Sequence, residues 1–383
     1  MFGLNLKNRS IRPIGLDIGH DYIRMTQLVI RDEKISVHAA EEARVEIDKK
    51  EDEQAWKSIV IATIKRLFVK GNFSGNNTIS CLPSGDLKIT SLRLTQAESE
   101  KTEQIIKREV AQRFKLNPEN DAMDYIVAGN VRQGDEIKKE LVLFACSNEK
   151  IKNHIEILEE AGLKPVSLDI MPCALFRSFE RSFRRQEDME NAVVFVDIGS
   201  LYTTIVFGRG QEICFVKQLK IGGDNFNSEV ASKLGITNKE AEVLRKELQN
   251  EDRVSKEDEQ KIDASTRQRM IDAISKVAEE LAKEISLCLR YYSVTFRGKR
   301  IERAIFTGGG SYENILLNIM KRQLAVGVEI AQPFRGFDFQ NEKVNIGINE
   351  GNGLLCEWAV AIGLSLKGMD AIRRNRREVY SRT

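Results

Sequence analysis

Residues 14–28 read IGLDIGHDYIRMTQL, an apolar strand interrupted by Asp17-Ile18-Gly19 and resumed after Tyr22. The same architecture returns over residues 193–223, VVFVDIGSLYTTIVFGRGQEICFVKQLKIGG, where Asp17 and Gly19 recur as Asp197 and Gly199. Each copy reads as a strand ending in Asp-Ile-Gly, a tight turn, a second strand, a polar turn (Arg31-Asp32 or Arg209-Gly210) and a third strand. One such turn is explained by an Asp that caps local amides. Two copies at the same point of a strand-turn-strand unit predict two similar lobes facing one another.

The turn has a definite chemistry. Glycine lets the backbone approach a ligand, and the amides that follow can point at phosphate oxygens. A carboxylate beside phosphates is repulsive unless a divalent cation lies between them, so Asp17 and Asp197 are candidates for holding hydrated Mg²⁺ through water. A third glycine cluster follows in residues 303–324, RAIFTGGGSYENILLNIMKRQL. The order apolar strand, Gly308-Gly309-Gly310-Ser311, amphipathic helix places bare backbone at the carboxyl end of a strand, where ligands of open α/β sheets bind.

Global composition sets limits on the rest. At 383 residues the chain exceeds the range of a single core. Its 59 Lys plus Arg nearly cancel 57 Asp plus Glu, which gives no footprint for nucleic acid. The basic excess sits in the tail, at Arg373, Arg374, Arg376, Arg377 and Arg382. Six cysteines, at 81, 146, 173, 214, 288 and 356, show no CxxC pairing and read as reduced thiols, which points to a cytoplasmic protein. No apolar run approaches the ~18 residues of a membrane span, and the N-terminus lacks a signal-peptide core.

The three elements in this order resemble the actin-like ATPase superfamily (actin, Hsp70, sugar kinases, FtsA), with residues 14–28, 193–210 and 303–311 matching its phosphate 1, phosphate 2 and adenosine motifs. Within it the chain is similar to the FtsA/PilM branch, and to the PilM family of type IV pilus assembly over nearly its whole length. That likeness rests on the MFGL start, AEVLRKEL, EISLCLRYYSVTFRG, IFTGGGSYENI with VGVEIAQPFRGF, and EWAVAIGLSLKGM. The resemblance implies an α/β, actin-like (ribonuclease H-like) two-lobe fold with an inserted small α+β subdomain, and ATP with Mg²⁺ as cofactors.

Carried over residue by residue, the resemblance places Asp17, Gly19, His20 and Asp21 in the first phosphate loop and Asp197, Gly199 and Ser200 in the second. Gly222 and Gly223 match a glycine pair near the phosphates, Glu242 and Arg245 the ribose- and base-contacting positions, and Gly308, Gly309, Gly310 and Ser311 the adenosine motif. His20 stands where the family usually has Ser or Thr, and Arg245 where it has Lys, a substitution that changes donor geometry.

The expected organisation runs as follows: residues 1–84 form the N-terminal part of the first lobe, 85–168 the inserted subdomain with its own core, 169–192 the return to the first lobe, 193–370 the second lobe and 371–383 a basic tail. A helix over Gln96–Phe114 is predicted from Ile105, Ile106, Val110 and Phe114, and a buried stripe from Ala273, Val277, Leu281, Ile285, Cys288 and Leu289. Leu248–Arg269 reads as a solvated charged helix-loop-helix. His38 and His154 have no acid or thiol partner that spacing identifies.

Three function classes stay open. The leading one is an ATP-binding adaptor of type IV pilus assembly. It is cytoplasmic, sits at the inner membrane only through partners, is able to self-associate, and docks the N-terminal peptide of a PilN-like membrane protein. For that peptide the strands near Lys88–Leu94 and Pro165–Ile170 are the candidate edges. The alternatives are an FtsA-like cell-division filament and an actin-fold sugar kinase or phosphotransferase. The closing GMDAIRRNRREVYSRT has almost no apolar face, against a lipid-binding FtsA-type helix, and the chain leaves no room for an Hsp70 peptide clamp. No residue stands out as a catalytic base, so nucleotide hydrolysis is expected to be slow or absent.

Overall fold

Alternating apolar residues in each Asp-Ile-Gly copy build a three-stranded antiparallel meander, and each meander grows into a five-stranded sheet. The computed structural model describes residues 9–31, 34–46, 52–181, 190–251, 262–296, 301–338 and 355–367. The first sheet contains β1 (Arg9–Ile18), β2 (Tyr22–Arg31), β3 (Lys34–Arg44), β4 (Asn77–Cys81) and β8 (Lys164–Asp169), in the order β3-β2-β1-β4-β8. The second contains β9 (Ala192–Ile198), β10 (Thr203–Arg209), β11 (Glu212–Leu219), β12 (Ile301–Thr307) and β13 (Gly327–Ile330), in the order β11-β10-β9-β12-β13. Both sheets are antiparallel on the meander side and parallel beyond the central strand. The duplication read from the sequence is therefore a duplication of topology.

Parallel neighbours need crossover helices. In the first lobe α1 (Glu53–Lys70) precedes β4 and α4 (Asn148–Glu160) precedes β8. In the second, α6 (Gly223–Leu234), α7 (Asn238–Glu251) and α8 (Ala264–Thr295) precede β12, and α9 (Asn314–Gln323) precedes β13. Asp52 caps α1 by accepting from the Ala55 amide at 2.9 Å, and Trp56, Val60, Ile64 and Leu67 form its buried stripe. Helix α8 starts on the Asp263 cap, and all six stripe residues expected on it are buried.

Two helices cross between the lobes. Helix α5 (Met171–Glu180) follows the last strand of the first sheet, yet Phe176 and Phe179 pack on Phe195 of the second. Helix α10 (Ala359–Ser365) follows the second-lobe strands and lies on the first sheet, where Gly15 of β1 meets its backbone. The two helices touch at Gly363, where a Cβ would overlap the Ala174 carbonyl oxygen. Residues 359–365, expected in the second lobe, thus lie between the two: Ala361 and Ile362 pack with Leu28 and Val37 of the first sheet, while Ala359, Val360 and Leu364 join the core that holds the second. Their seat on the first sheet is a groove that only the folded sheet provides.

A smaller sheet, β5 (Lys88–Leu94), β7 (Glu136–Cys146) and β6 (Ala122–Gln133), has the order β5-β7-β6. One face packs Leu94, Leu141, Leu143 and Ala145 on Ile106 and Val110. The helix expected over Gln96–Phe114 is divided into α2 (Gln96–Ser99), α3 (Thr102–Glu109) and a π-helical turn, Val110–Phe114, ended by Lys115 at φ 56°. The opposite face, with Ala128, Val131, Val142 and Phe144, joins the second-lobe core. Helix α4 contributes Ile157 and Leu158 to the core of Trp56 and Val60, and β8 extends the first sheet. The inserted unit spans about residues 88–146 and carries a small core of its own on one face, while its other face joins the second-lobe core.

All six cysteines are free, and only Cys173 is not fully buried. His154 Nε2 lies 3.0 Å from Ser80 Oγ and His38 Nε2 2.7 Å from Ser74 Oγ, both as structural contacts. Among the described residues no helix is long and apolar enough to cross a membrane. The MFGL start, most of the charged loop within Leu248–Arg269 and the basic tail lie outside the described residues.

Candidate functional site

Asp17 ends β1 and Asp197 ends β9, so the duplicated topology brings two carboxylates to the same place, the floor of the cleft between the sheets. Each turn is closed in the same way. The Gly19 amide donates to the Tyr22 carbonyl at 2.9 Å, and Gly199 to Tyr202 at 3.0 Å. The two turns also meet. Ser200 Oγ donates to Asp21 Oδ2, while Asp21 Oδ1 lies 2.6 Å from His20 Nδ1.

The electrostatics follow from burial. Desolvation pushes the Asp17 carboxyl from the usual 3.8 up to about 6, with Arg24 opposing it. Desolvation and the Asp17 charge push Asp197 to about 7, again against Arg24. Burial works against ionised Asp21, but the His20 and Ser200 hydrogen bonds together with the His20 and Arg44 charges hold its pKa below the usual value. Arg24 faces Asp17 across the β1–β2 ladder, donates to Glu42 at 2.9 Å and lies over the Tyr22 ring. One guanidinium thus serves two half-buried carboxylates and a third at the edge. This donor set is short of positive charge and fits a cation. Among the described residues no group of three or more His, Cys, Asp or Glu side chains could hold a metal ion directly.

The glycines around this floor have different duties. Gly222 and Gly223 dock on the second turn: the Gly223 amide donates to Gly199 O at 2.9 Å and Asp224 N to Ser200 O at 2.8 Å. A Cβ on Gly222 would sit 2.7 Å from Gly199 O. Gly308, at φ 82°, brings the third loop against Asp197, where a Cβ would lie 2.9 Å from Oδ1. Gly310 packs on Ile198, whereas Gly309 faces open space. Ser311 is fully buried and donates to its own strand at Thr307 O, 2.6 Å away.

Glu242 is at the rim, paired across the lobes with Arg44 at 2.5 Å and with Lys246 at 2.7 Å. Arg245 lies behind the loops, 7 % exposed, and bonds to Gly223 O, Asn227 and Glu313. The structure therefore gathers Asp17, Gly19, His20, Asp21, Asp197, Gly199, Ser200 and Gly308 at the cleft. It places Arg245 and Ser311 in supporting contacts. Arg24, Arg44 and Glu313 were not singled out in the sequence. Arg24 had a signal, since hairpin register across the Gly19 turn sets it opposite Asp17, whereas Arg44 and Glu313 find their partners only through tertiary contacts.

A family model described as type IV pilus assembly protein PilM matches residues 15–369. Among solved structures, the chain is similar to a PilM–PilN type IV pilus biogenesis complex, with 21 % identity and a TM-score of 0.71 over 93 % of this chain and 98 % of that one. It is also similar to ethanolamine utilization protein EutJ from Carboxydothermus hydrogenoformans, with 15 % identity and a TM-score of 0.54 over 94 % and 90 % of the two chains. The architecture is the actin-like two-lobe α/β fold.

Proposed function

We propose, for a chain that belongs to the PilM family of type IV pilus assembly proteins, a nucleotide-binding adaptor that captures an extended peptide of a PilN-like inner-membrane protein. The observation that carries the docking half is a pair of open strand edges. Strand β8 ends the first sheet and β6 ends the small sheet. Val166 on β8 and Tyr125 and Val127 on β6 are exposed apolar side chains. An unpaired edge with apolar neighbours suits addition of a peptide strand, with main-chain hydrogen bonds for affinity and apolar pockets for specificity.

Of the two edges read from the sequence, Pro165–Ile170 fits this role. Lys88–Leu94 is β5, the other edge of the small sheet, and Gln218 of the second lobe donates to Ser84 O just before it; the exposed apolar side chains of the small sheet's edges lie on β6. In the cleft, Asp17 and Asp197 hold Mg²⁺ through water, and the turns of Gly19, Gly199 and Gly308 supply backbone for the phosphates of ATP. When bound, the cation neutralises charge between these carboxylates and the phosphates. Membrane association through the partner follows from the same reading.

The test is a binding titration with a fluorescent peptide copying the N-terminal cytoplasmic segment of the membrane partner. Val166→Asp and Val127→Asp should each weaken capture by roughly tenfold, about 1.4 kcal/mol, and leave Mg·ATP affinity unchanged. Unchanged capture in both variants rejects the edge-docking reading.

A further inference from the structure

Arg245 occupies a helix position at which the family resemblance implies a nucleotide contact, yet it is buried with Nη1 and Nη2 on protein acceptors and Nε without a hydrogen-bond partner. Nη1 donates to Gly223 O at 3.1 Å and to Asn227 Oδ1 at 2.6 Å; Nη2 donates to Glu313 Oε2 at 3.0 Å. The Phe226 ring lies 5.0 Å from the guanidinium carbon. Glu313, only 2 % exposed, also accepts from Gln249 at 3.1 Å, and its backbone amide donates to Gly310 O at 3.3 Å. Gly223 belongs to the glycine pair docked on the second turn, and Gly310 to the glycine loop docked on Ile198.

We infer that Arg245 and Glu313 form a buried clamp that fixes these two glycine loops relative to each other, and that Arg245 is a positioning residue rather than a nucleotide contact. The loops come from segments far apart in the chain, and each is rich in glycine, so neither has side chains with which to hold its own shape. A planar guanidinium reaches three acceptors in fixed directions, whereas an ammonium is a point donor on a flexible stem. That accounts for Arg at this site. A buried carboxylate without its cation is costly, so loss of either member of the pair frees both loops.

The clamp is tested by hydrogen–deuterium exchange of the full-length protein carrying Arg245→Lys or Glu313→Gln. Exchange should rise roughly tenfold, about 1.4 kcal/mol of local opening, in both segments 222–227 and 308–314, with β9 and β12 unchanged. Unaltered loops, or a rise spread over the whole second lobe, overturn the clamp. If either variant fails to fold, Asn227→Ala and Gln249→Ala each remove one arm; the first should loosen only 222–227 and the second only 308–314, and no loosening in either overturns the clamp.

A second measurement rests on the nucleotide-cleft reading above. Arg245→Lys should weaken Mg·tripolyphosphate as well as Mg·ATP, because Gly223, which Arg245 holds, is docked on the second phosphate turn. A loss confined to ATP shows that Arg245 reads the nucleoside and overturns the positioning role. Loosened loops in the variants, with no ATP binding by the unmutated protein, keep the clamp and reject the nucleotide site instead.

Discussion

The two Asp-Ile-Gly turns share a backbone and differ in charge. Both close with a Gly amide on a Tyr carbonyl and both end a central strand. Across the ladder, however, Asp17 faces Arg24 while Asp197 faces Thr204. The first turn carries His20 and Asp21 and the second Ser200 and Leu201. The carboxyl with the adjacent guanidinium reaches about 6, and the one without it about 7. Backbone geometry was duplicated whole; the counter-charge was placed on one side and serves both.

The largest expected effect tests whether the two halves depend on the joint they share. Gly363→Ala drives a methyl into the Ala174 backbone where α5 and α10 cross, and should cost about 3 kcal/mol, read as a fall in Tm. Gly309→Ala, which meets nothing within 4 Å, is the control and should leave Tm unchanged. Equal Tm values for the two would dissolve the claim that the lobes are held at this crossing.

Next in size, Asp17→Ala and Asp197→Ala should each weaken Mg·ATP binding by roughly ten- to a hundredfold, about 1.5 to 3 kcal/mol for a charge-assisted contact. Isothermal titration with and without Mg²⁺ checks this. A loss in only one variant would show that the turns are alike in shape but not in duty.

The pH dependence sharpens the asymmetry further. Because the folded-state pKa values of Asp17 and Asp197 lie above the unfolded 3.8, the native state binds more protons between pH 3.8 and about 7, and these groups make stability fall as pH rises through that window. The nucleotide-free protein should therefore lose Tm between pH 5.5 and 8 on their account, and Asp197→Asn should flatten the slope more than Asp17→Asn. The reverse order in a thermal-shift series would contradict the assignment of Arg24 to the Asp17 side.

The smallest effect belongs to the contact between the turns. Ser200→Ala removes one donor to half-buried Asp21 and should cost on the order of 1 kcal/mol in Mg·ATP affinity. No change would mean that His20 alone holds Asp21 in place.

Sequence alone determined the duplication, since Asp-Ile-Gly at a strand end, followed by a meander, is a local pattern with a period of two and a recurring turn signal. It fixed Asp17, Gly19, Asp197 and Gly199 as the cleft floor, and the stripe of α8 as core. Tertiary structure decided what local pattern does not encode. It set part of α10 against the first sheet because the groove beside Gly15 exists only once β1, β2 and β4 are paired. It joined the small sheet to the second-lobe core because Val142 and Phe144 alternate onto a face that has no partner within the insert. And it directed Arg245 toward Glu313, 68 positions away, because a buried guanidinium takes its direction from the carboxylate that neutralises it, and no spacing along one helix reports where that carboxylate will be.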